Sequence, residues 1–400
     1  MLQIDEYDEI QEILRSPDFE QGAFELTGPT LVQDVVSILH GQPHFERRRV
    51  EAHLFAQEAL RRYLDNDLIP MVDHVLATRL HGAPGDVACA DLVELTWHML
   101  CRLAGSVVGL DRLDDPDVLE RLVDYAKVFG RGLTVEWATT GDQQAVIAET
   151  LATRERFAAD LFAPSLRRRL ELVERFGRGE IERDDLPNDL IALLLLHRND
   201  PWDEELPLRE ATLFLVAATQ TTVQAFPHFV LHLEGWFAED AARRTQVLSD
   251  PDLLARAAHE SLRLFVASPV RIRRARSTVT LSSGRSIAAG QRVGLLLQAA
   301  NTDPAVFGAD ADSYNPAREV GRVPRWGLAF GGGPHMCIGR PLVTGALAGG
   351  GVKADGSMVT IASRLYQLGM RLDPHRPPER DAATFHPAFA SVPVILRIPH

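Results

Sequence analysis

The chain has 400 residues, 46% of them hydrophobic and 24% charged, a composition that supports a large folded core and excludes a disordered or fibrous chain. With 42 Lys and Arg against 55 Asp and Glu the net charge is −13, which argues against nucleic acid as the main partner, because phosphate binding asks for a basic face. Three cysteines, Cys89, Cys101 and Cys337, make no disulfide framework and fit a reducing cytoplasm; the acidic start lacks the pattern of a signal peptide, and no run of about 20 apolar residues predicts a membrane span.

Ile4, Tyr7, Ile10, Ile13 and Leu14 recur at helical spacing and predict a helix over 5–15, closed by Ser16-Pro17. Residues 19–43, rich in Gly, Pro and Thr, predict a long loop of the kind that often carries function. Further helices are expected near 44–63, 66–81, 90–109, 115–130, 143–176 and 186–198. The stretch from Leu208 to Ala238 is apolar nearly all round at its centre and predicts a buried helix, with Pro227 inside it as a kink site. After a helix at 251–265 the pattern turns to alternation, with strands expected around Val279, Leu281 and Ile287 and from Val293 to Leu297. Residues 301–336 read as loop, 337–348 and 358–369 as helix, and His386 to Ile398 as a hairpin or short strands. Gly345, Gly349, Gly350, Gly351 and Gly356 predict an inserted loop at about 345–357. No linker divides residues 1–400, so one large, mainly α domain with a smaller β portion is expected.

The segment Phe330-Gly331-Gly332-Gly333-Pro334-His335-Met336-Cys337-Ile338-Gly339 stands out. A lone thiolate that binds a metal must lie close to it and stay shielded from water. Glycines let the backbone turn tightly and approach a flat group, and a cysteine near a helix start can have its pKa lowered by backbone N–H groups. Phe330 is expected to pack beside the sulfur.

This segment resembles the cysteine-ligand loop of the cytochrome P-450 family, matching every specified position of Phe-Gly-x-Gly-x-His-x-Cys-x-Gly. Other segments resemble the family in the expected order. Glu260-Ser261-Leu262-Arg263 fits its Glu-x-x-Arg, with the two charges on one helical face, and Arg318 fits the third member of that network. His44 and Arg48, Arg273 and His335 match the basic residues that meet the haem propionates, a task that suits the planar guanidinium fork. Ala217-Ala218-Thr219-Gln220-Thr221-Thr222 resembles the oxygen-activation segment, with Thr221 at the proton-delivering threonine. There, Ala218 replaces a glycine and Gln220 replaces the usual acid, so that protons must come through water, another residue or a substrate group.

The resemblance implies the P-450 fold, haem b held by Cys337, and catalytic roles for Thr221 and Gln220. Lining by Phe24, Phe129, Phe214, Val266 and Ala267 suggests an apolar pocket. A monooxygenase would insert one atom of O2 into a small organic substrate, with electrons from a separate ferredoxin or flavodoxin and its reductase. The basic residues of 40–63 offer a patch that could steer an acidic donor. Gln220 keeps open altered thiolate-haem chemistry (peroxide-driven oxygenation, coupling or dehydration) and, more remotely, a non-catalytic haem protein. The match starts near Tyr7, so the family's leading helix and first strands are expected to be missing.

Overall fold

The computed structural model describes residues 1–24, 27, 31–139, 141–198, 202–345 and 355–398. In chain order, the principal elements are β1 (Leu2–Ile4), α1 (Tyr7–Arg15), β2 (Phe19–Gln21), α2 (Gln42–Glu51), β3 (Val87–Asp91), α3 (Leu92–Val108), α4 (Pro116–Leu133), α5 (Gln143–Phe157), α6 (Ala163–Gly177), α7 (Leu206–Glu239), α8 (Pro251–Leu264), β4 (Val270–Ala275), β5 (Arg292–Leu296), α9 (Arg340–Thr344), α10 (Ser357–Gln367), β6 (Arg371–Leu372) and β7 (Pro393–Arg397). Mainly α with a smaller β portion is therefore the observed class. Among the described residues no helix is long and apolar enough to cross a membrane.

The chain forms two compact units. The first comprises Met1–Glu25, Leu39–Phe45 and Gln224–Gln367. Its sheet has the order β1-β5-β4-β2. Strand β1 runs parallel to β5, while β4 pairs antiparallel with both β5 and β2. Ile4, Ile10 and Ile13 pack with Val293, Leu295 and Leu328 into one buried cluster, so the apolar stripe of α1 covers the inward face of the sheet. One short strand, β1, precedes α1 where the sequence predicted none, and β2 follows that helix. They have three residues each, too few for an alternation to be read from sequence.

The second unit comprises Leu26–Ile38, Glu46–Val223 and Leu368–His400. Helix α3 buries most of its length. Asp91 caps it by accepting from the Val93 and Glu94 N–H groups, satisfying donors that a helix start leaves open. Tyr125, Phe129 and Phe162 surround Phe157 with ring centroids 5.5–6.2 Å apart. The strand β3, unread in the sequence, lies antiparallel to β7, which also pairs with β6.

Helix α7 spans 34 residues and continues through Pro227. The helix expected at 337–348 is shorter, only Arg340–Thr344. Gly345 follows it at φ 82°, a left-handed conformation that glycine adopts without a side-chain penalty. Most of the expected inserted loop, 346–354, lies outside the described residues. At its far end a Cβ on Gly356 would stand 2.1 Å from the Val343 carbonyl oxygen, so only glycine fits where α10 begins against the end of α9.

Candidate functional site

The cysteine loop belongs to the first unit. Gly331 and Gly333 have φ of 69° and 63°, and a Cβ on Gly333 would lie 2.1 Å from the Leu14 carbonyl oxygen. Both conformation and space therefore demand glycine, and the loop is pressed onto the end of α1. The Cys337 N–H donates to the Phe330 carbonyl at 2.9 Å and Met336 N–H to Gly333 at 3.1 Å, closing the loop on itself. Cys337 is exposed and stands three residues before α9. Phe330 packs edge-on against Trp326, centroids 5.9 Å apart, and the Arg340 guanidinium lies 5.1 Å over the same indole.

Behind the loop sits the charged core. Arg263 is 0% exposed. It grips Glu260 in a two-pronged pair at 2.9 and 2.7 Å and donates to the Asn301 and Ala311 carbonyls, both at 2.6 Å. Arg318 donates to Glu260 at 2.9 Å and to Asp310 at 2.6 Å. The three residues expected to form this network do so. Asn301, which the sequence did not single out, ties it to the cysteine loop. Its side chain donates to the Arg263 carbonyl at 3.0 Å and to the Trp326 carbonyl at 3.3 Å, and it accepts the Leu328 N–H at 2.7 Å. A Cβ on Gly327 would stand 2.2 Å from the Asn301 oxygen.

Of the expected basic residues, His44, Arg273 and His335 belong to the first unit. The rings of His44 and His335 meet at a tilt, with centroids 3.9 Å apart, and His44 is 1% exposed. Arg273, on β4, is buried and donates to the Gln21 side-chain oxygen at 2.5 Å and to the Ile272 carbonyl at 3.1 Å. Burial, and then the positive charge of Arg271, push its pKa down to about 10. Arg271 donates to the Ser268 hydroxyl at 2.6 Å. Burial also lowers its pKa, partly offset by the negative charge of a Cys337 thiolate. Arg271 thus lies within electrostatic reach of the cysteine, and residue matching alone passed over it.

The other expected residues belong to the second unit and are described there. On α2, half-buried Arg48 neighbours Arg47, whose guanidinium donates to Glu210 at 2.8 Å. Glu210 also accepts the Val36 N–H at 2.8 Å. Glu51 and Glu210 are both 0% exposed. Burial first, and then the charge of Glu210, hold the Glu51 pKa well above its ordinary value, and burial raises that of Glu210 against the pull of Arg47. Part of the basic stretch read as a docking patch is therefore turned inward.

On α7, residues 211–216, 219 and 222–230 are buried, yet Ala217 is exposed and Ala218, Gln220 and Thr221 are half-buried. Small residues open one face of an otherwise covered helix. The Thr221 hydroxyl donates back to the Ala217 carbonyl at 3.0 Å, as mid-helix threonines do. The Gln220 amide makes no hydrogen bond among the described residues. Its oxygen would lie 2.4 Å from a Cβ on Gly130 of α4, so the glycine makes room for it. Of the residues expected to line a pocket, Phe129, Phe214 and Val266 are buried.

A family model described as Cytochrome P450 matches residues 242–344, the stretch that holds the charged core, β4 and the cysteine loop. The chain is 32% identical over 155 residues to the biotin biosynthesis cytochrome P450 of Bacillus subtilis, covering 38% of this chain and 37% of that protein. It is 27% identical over 351 residues to the putative cytochrome P450 126 of Mycobacterium tuberculosis, covering 84% of this chain and 75% of that protein. The crystal structure of CalO2 superposes with a TM-score of 0.74 at 21% identity, over 100% of this chain and 91% of that one, and shows a shared fold.

Proposed function

We propose that the chain is a member of the cytochrome P450 family, whose model matches residues 242–344, and that residues 1–400 form one catalytic domain of a cytoplasmic monooxygenase. It binds haem b through Cys337 and inserts one oxygen atom of O2 into a small, largely apolar organic molecule. The observation that carries this reading is the cysteine loop: a thiol presented three residues before a helix, on a turn that only glycines at 331 and 333 allow. The exposed, small-residue face at Ala217 and Ala218 supports it, since a flat cofactor needs an opening in a covered helix.

Haem supplies, when bound, the activation of dioxygen that no amino-acid side chain can perform. The chain's own residues do the rest. Cys337 would hold the haem iron through its sulfur, and its loop hydrogen bonds fix where that sulfur stands. Arg273 and His335, with His44 and Arg48, hold the propionates. Buried Arg273 has only neutral partners among the described residues, which suits a site that takes its counter-charge from a bound carboxylate. Thr221 gives up its bond to the Ala217 carbonyl to move a proton from its Oγ1. Gln220 orients water but has no carboxyl proton to release. Electrons come from a separate ferredoxin or flavodoxin with its reductase.

The test is the visible spectrum of purified protein, reduced and exposed to carbon monoxide. A strongly red-shifted Soret band that disappears in Cys337→His is expected; folded protein that takes up no haem overturns the proposal. The amide at 220 favours a second reading, in which peroxide is the oxidant. Under the first reading Gln220→Glu raises O2-driven product yield per electron consumed, and under the second that yield stays flat while peroxide alone sustains turnover.

A further inference from the structure

Strand β4 reads Val-Arg-Ile-Arg-Arg-Ala. Alternation along a strand puts Arg271 and Arg273 on one face and Arg274 on the other. Their neighbours on β5 are Leu295 and Val293, neither of which carries charge. Arg276, beyond the strand, lies 4.0 Å from Glu20 and 3.2 Å from the His40 ring. Arg271 and Arg273 differ. Among the described residues no carboxylate pairs with either of them, and their side chains donate only to the Ser268 hydroxyl, the Gln21 amide oxygen and the Ile272 carbonyl.

Two guanidinium groups two residues apart on one strand face repel each other, and each has lost part of its water. Neutral acceptors satisfy single N–H groups but leave the charge uncompensated. Such a pair stores affinity for an anion, and the rigid fork of each group matches a carboxylate in a bidentate way. The charge of a Cys337 thiolate acts on Arg271, so the two lie within electrostatic reach of each other. Arg273 is the arginine that the family pattern assigns to a propionate; Arg271 is an additional one that nothing in that pattern requires.

We propose that Arg271 is a carboxylate-binding residue of the Cys337 site, forming with Arg273 a two-guanidinium clamp. The inference rests on the haem reading above. The carboxylate has two sources, a haem propionate or the carboxylate of an anionic substrate, and both are recognised by the same fork.

The experiment uses the holoprotein and Arg271→Gln, with Arg271→Lys as the variant that keeps the charge and loses the fork. First, the reduced carbon monoxide spectrum is taken. If the parent protein lacks the red-shifted band, the haem reading and this inference fall together; if the band is there, the outcomes below bear on Arg271 alone. Haem transfer to excess apomyoglobin is then timed and the ferric–ferrous midpoint potential measured. In parallel, benzoate and dodecanoate are titrated against benzamide and dodecanol while the ferric Soret shift is followed. Loss of one charged hydrogen-bonded contact is expected to change the affected quantity by about tenfold to a hundredfold. Faster haem transfer and a lowered potential in Arg271→Gln, partly rescued in Arg271→Lys, identify a propionate. Unchanged haem retention, with a carboxylate-specific spectral shift lost in Arg271→Gln, identifies a substrate carboxylate. Unchanged haem transfer and potential together with no carboxylate preference in the parent protein overturn the proposal.

Discussion

Four arginines of the first unit form two contrasting pairs. Arg263 and Arg318 are buried with their counter-charges inside the chain: Glu260 serves both, Asp310 serves Arg318, and backbone carbonyls take the remaining N–H groups. Among the described residues, Arg271 and Arg273 are held by neutral oxygens alone. The first pair is a scaffold that is electrically complete before anything binds. The second lacks a counter-charge among the described residues, and on our proposal a bound carboxylate supplies it. Buried charge is thus no marker of function by itself; the location of its counter-charge separates the roles.

The sharpest way to break this contrast is to remove one member of the complete pair. Arg263→Ala leaves Glu260 buried without its main partner and frees the Asn301 and Ala311 carbonyls, so a loss of about 3–5 kcal/mol is expected. Urea unfolding of the purified protein reads it directly, and a loss below about 1 kcal/mol would remove the scaffold from the explanation. Asn301→Ala probes the link from scaffold to cysteine loop. It deletes three hydrogen bonds of a fully buried side chain and leaves the Leu328 N–H unsatisfied, a cost of about 1–3 kcal/mol. Its second readout is the carbon monoxide spectrum, where a growing fraction without the red shift is expected as the Trp326–Phe330 segment loosens.

The second unit offers the opposite imbalance. Glu51 and Glu210 are two buried carboxyls, and the Arg47 guanidinium is bonded to Glu210; Arg47 and Arg48 act on Glu51 only through their charge. Both carboxyls titrate above their ordinary value of 4.5, chiefly through burial. The folded state then keeps a proton that the unfolded chain has released. Stability from this source is fully present below the unfolded pKa and is lost as pH rises through the raised folded value. Glu51→Gln removes one titration and spares Glu210, which holds Arg47 and the Val36 N–H. The variant is expected to lose less stability than the parent between about pH 5 and pH 7.5, with slopes differing by no more than about 1.4 kcal/mol per pH unit. Equal slopes in urea titrations across that range would mean the pair titrates normally.

Much of the scaffold was legible because its signals are local. A glycine run before a cysteine, an acid and an arginine three residues apart, and an apolar stretch of helical length each sit within one window of sequence. The long buried helix was read at 208–238 and spans Leu206–Glu239. What escaped depends on partners far along the chain. Strand β4 is too rich in arginine to show apolar alternation, so the shared face of Arg271 and Arg273 emerges only when β5 and β2 lie beside it. Asn301 sits in a stretch that reads as loop, and its value comes from three segments meeting on one amide. The buried pair of Glu51 and Glu210 carries no local signal, because sequence does not say which face of α2 turns inward.

The smallest predicted change in stability is the most discriminating for the incomplete pair. Arg273→Gln removes a charge whose burial, and then its repulsion from Arg271, already weaken its hold on a proton, and glutamine can still donate to the Gln21 oxygen. For the protein prepared without haem, unfolding should shift by less than about 1 kcal/mol in either direction, since replacing an uncompensated buried charge by a neutral group is often neutral or stabilising. With haem supplied, the same substitution should shorten haem retention about tenfold or more, the loss of a charged hydrogen bond to a propionate. A variant that instead costs several kcal/mol without haem and leaves haem retention unchanged would put Arg273 in the same class as Arg263, a scaffold charge whose counter-charge is supplied by the fold.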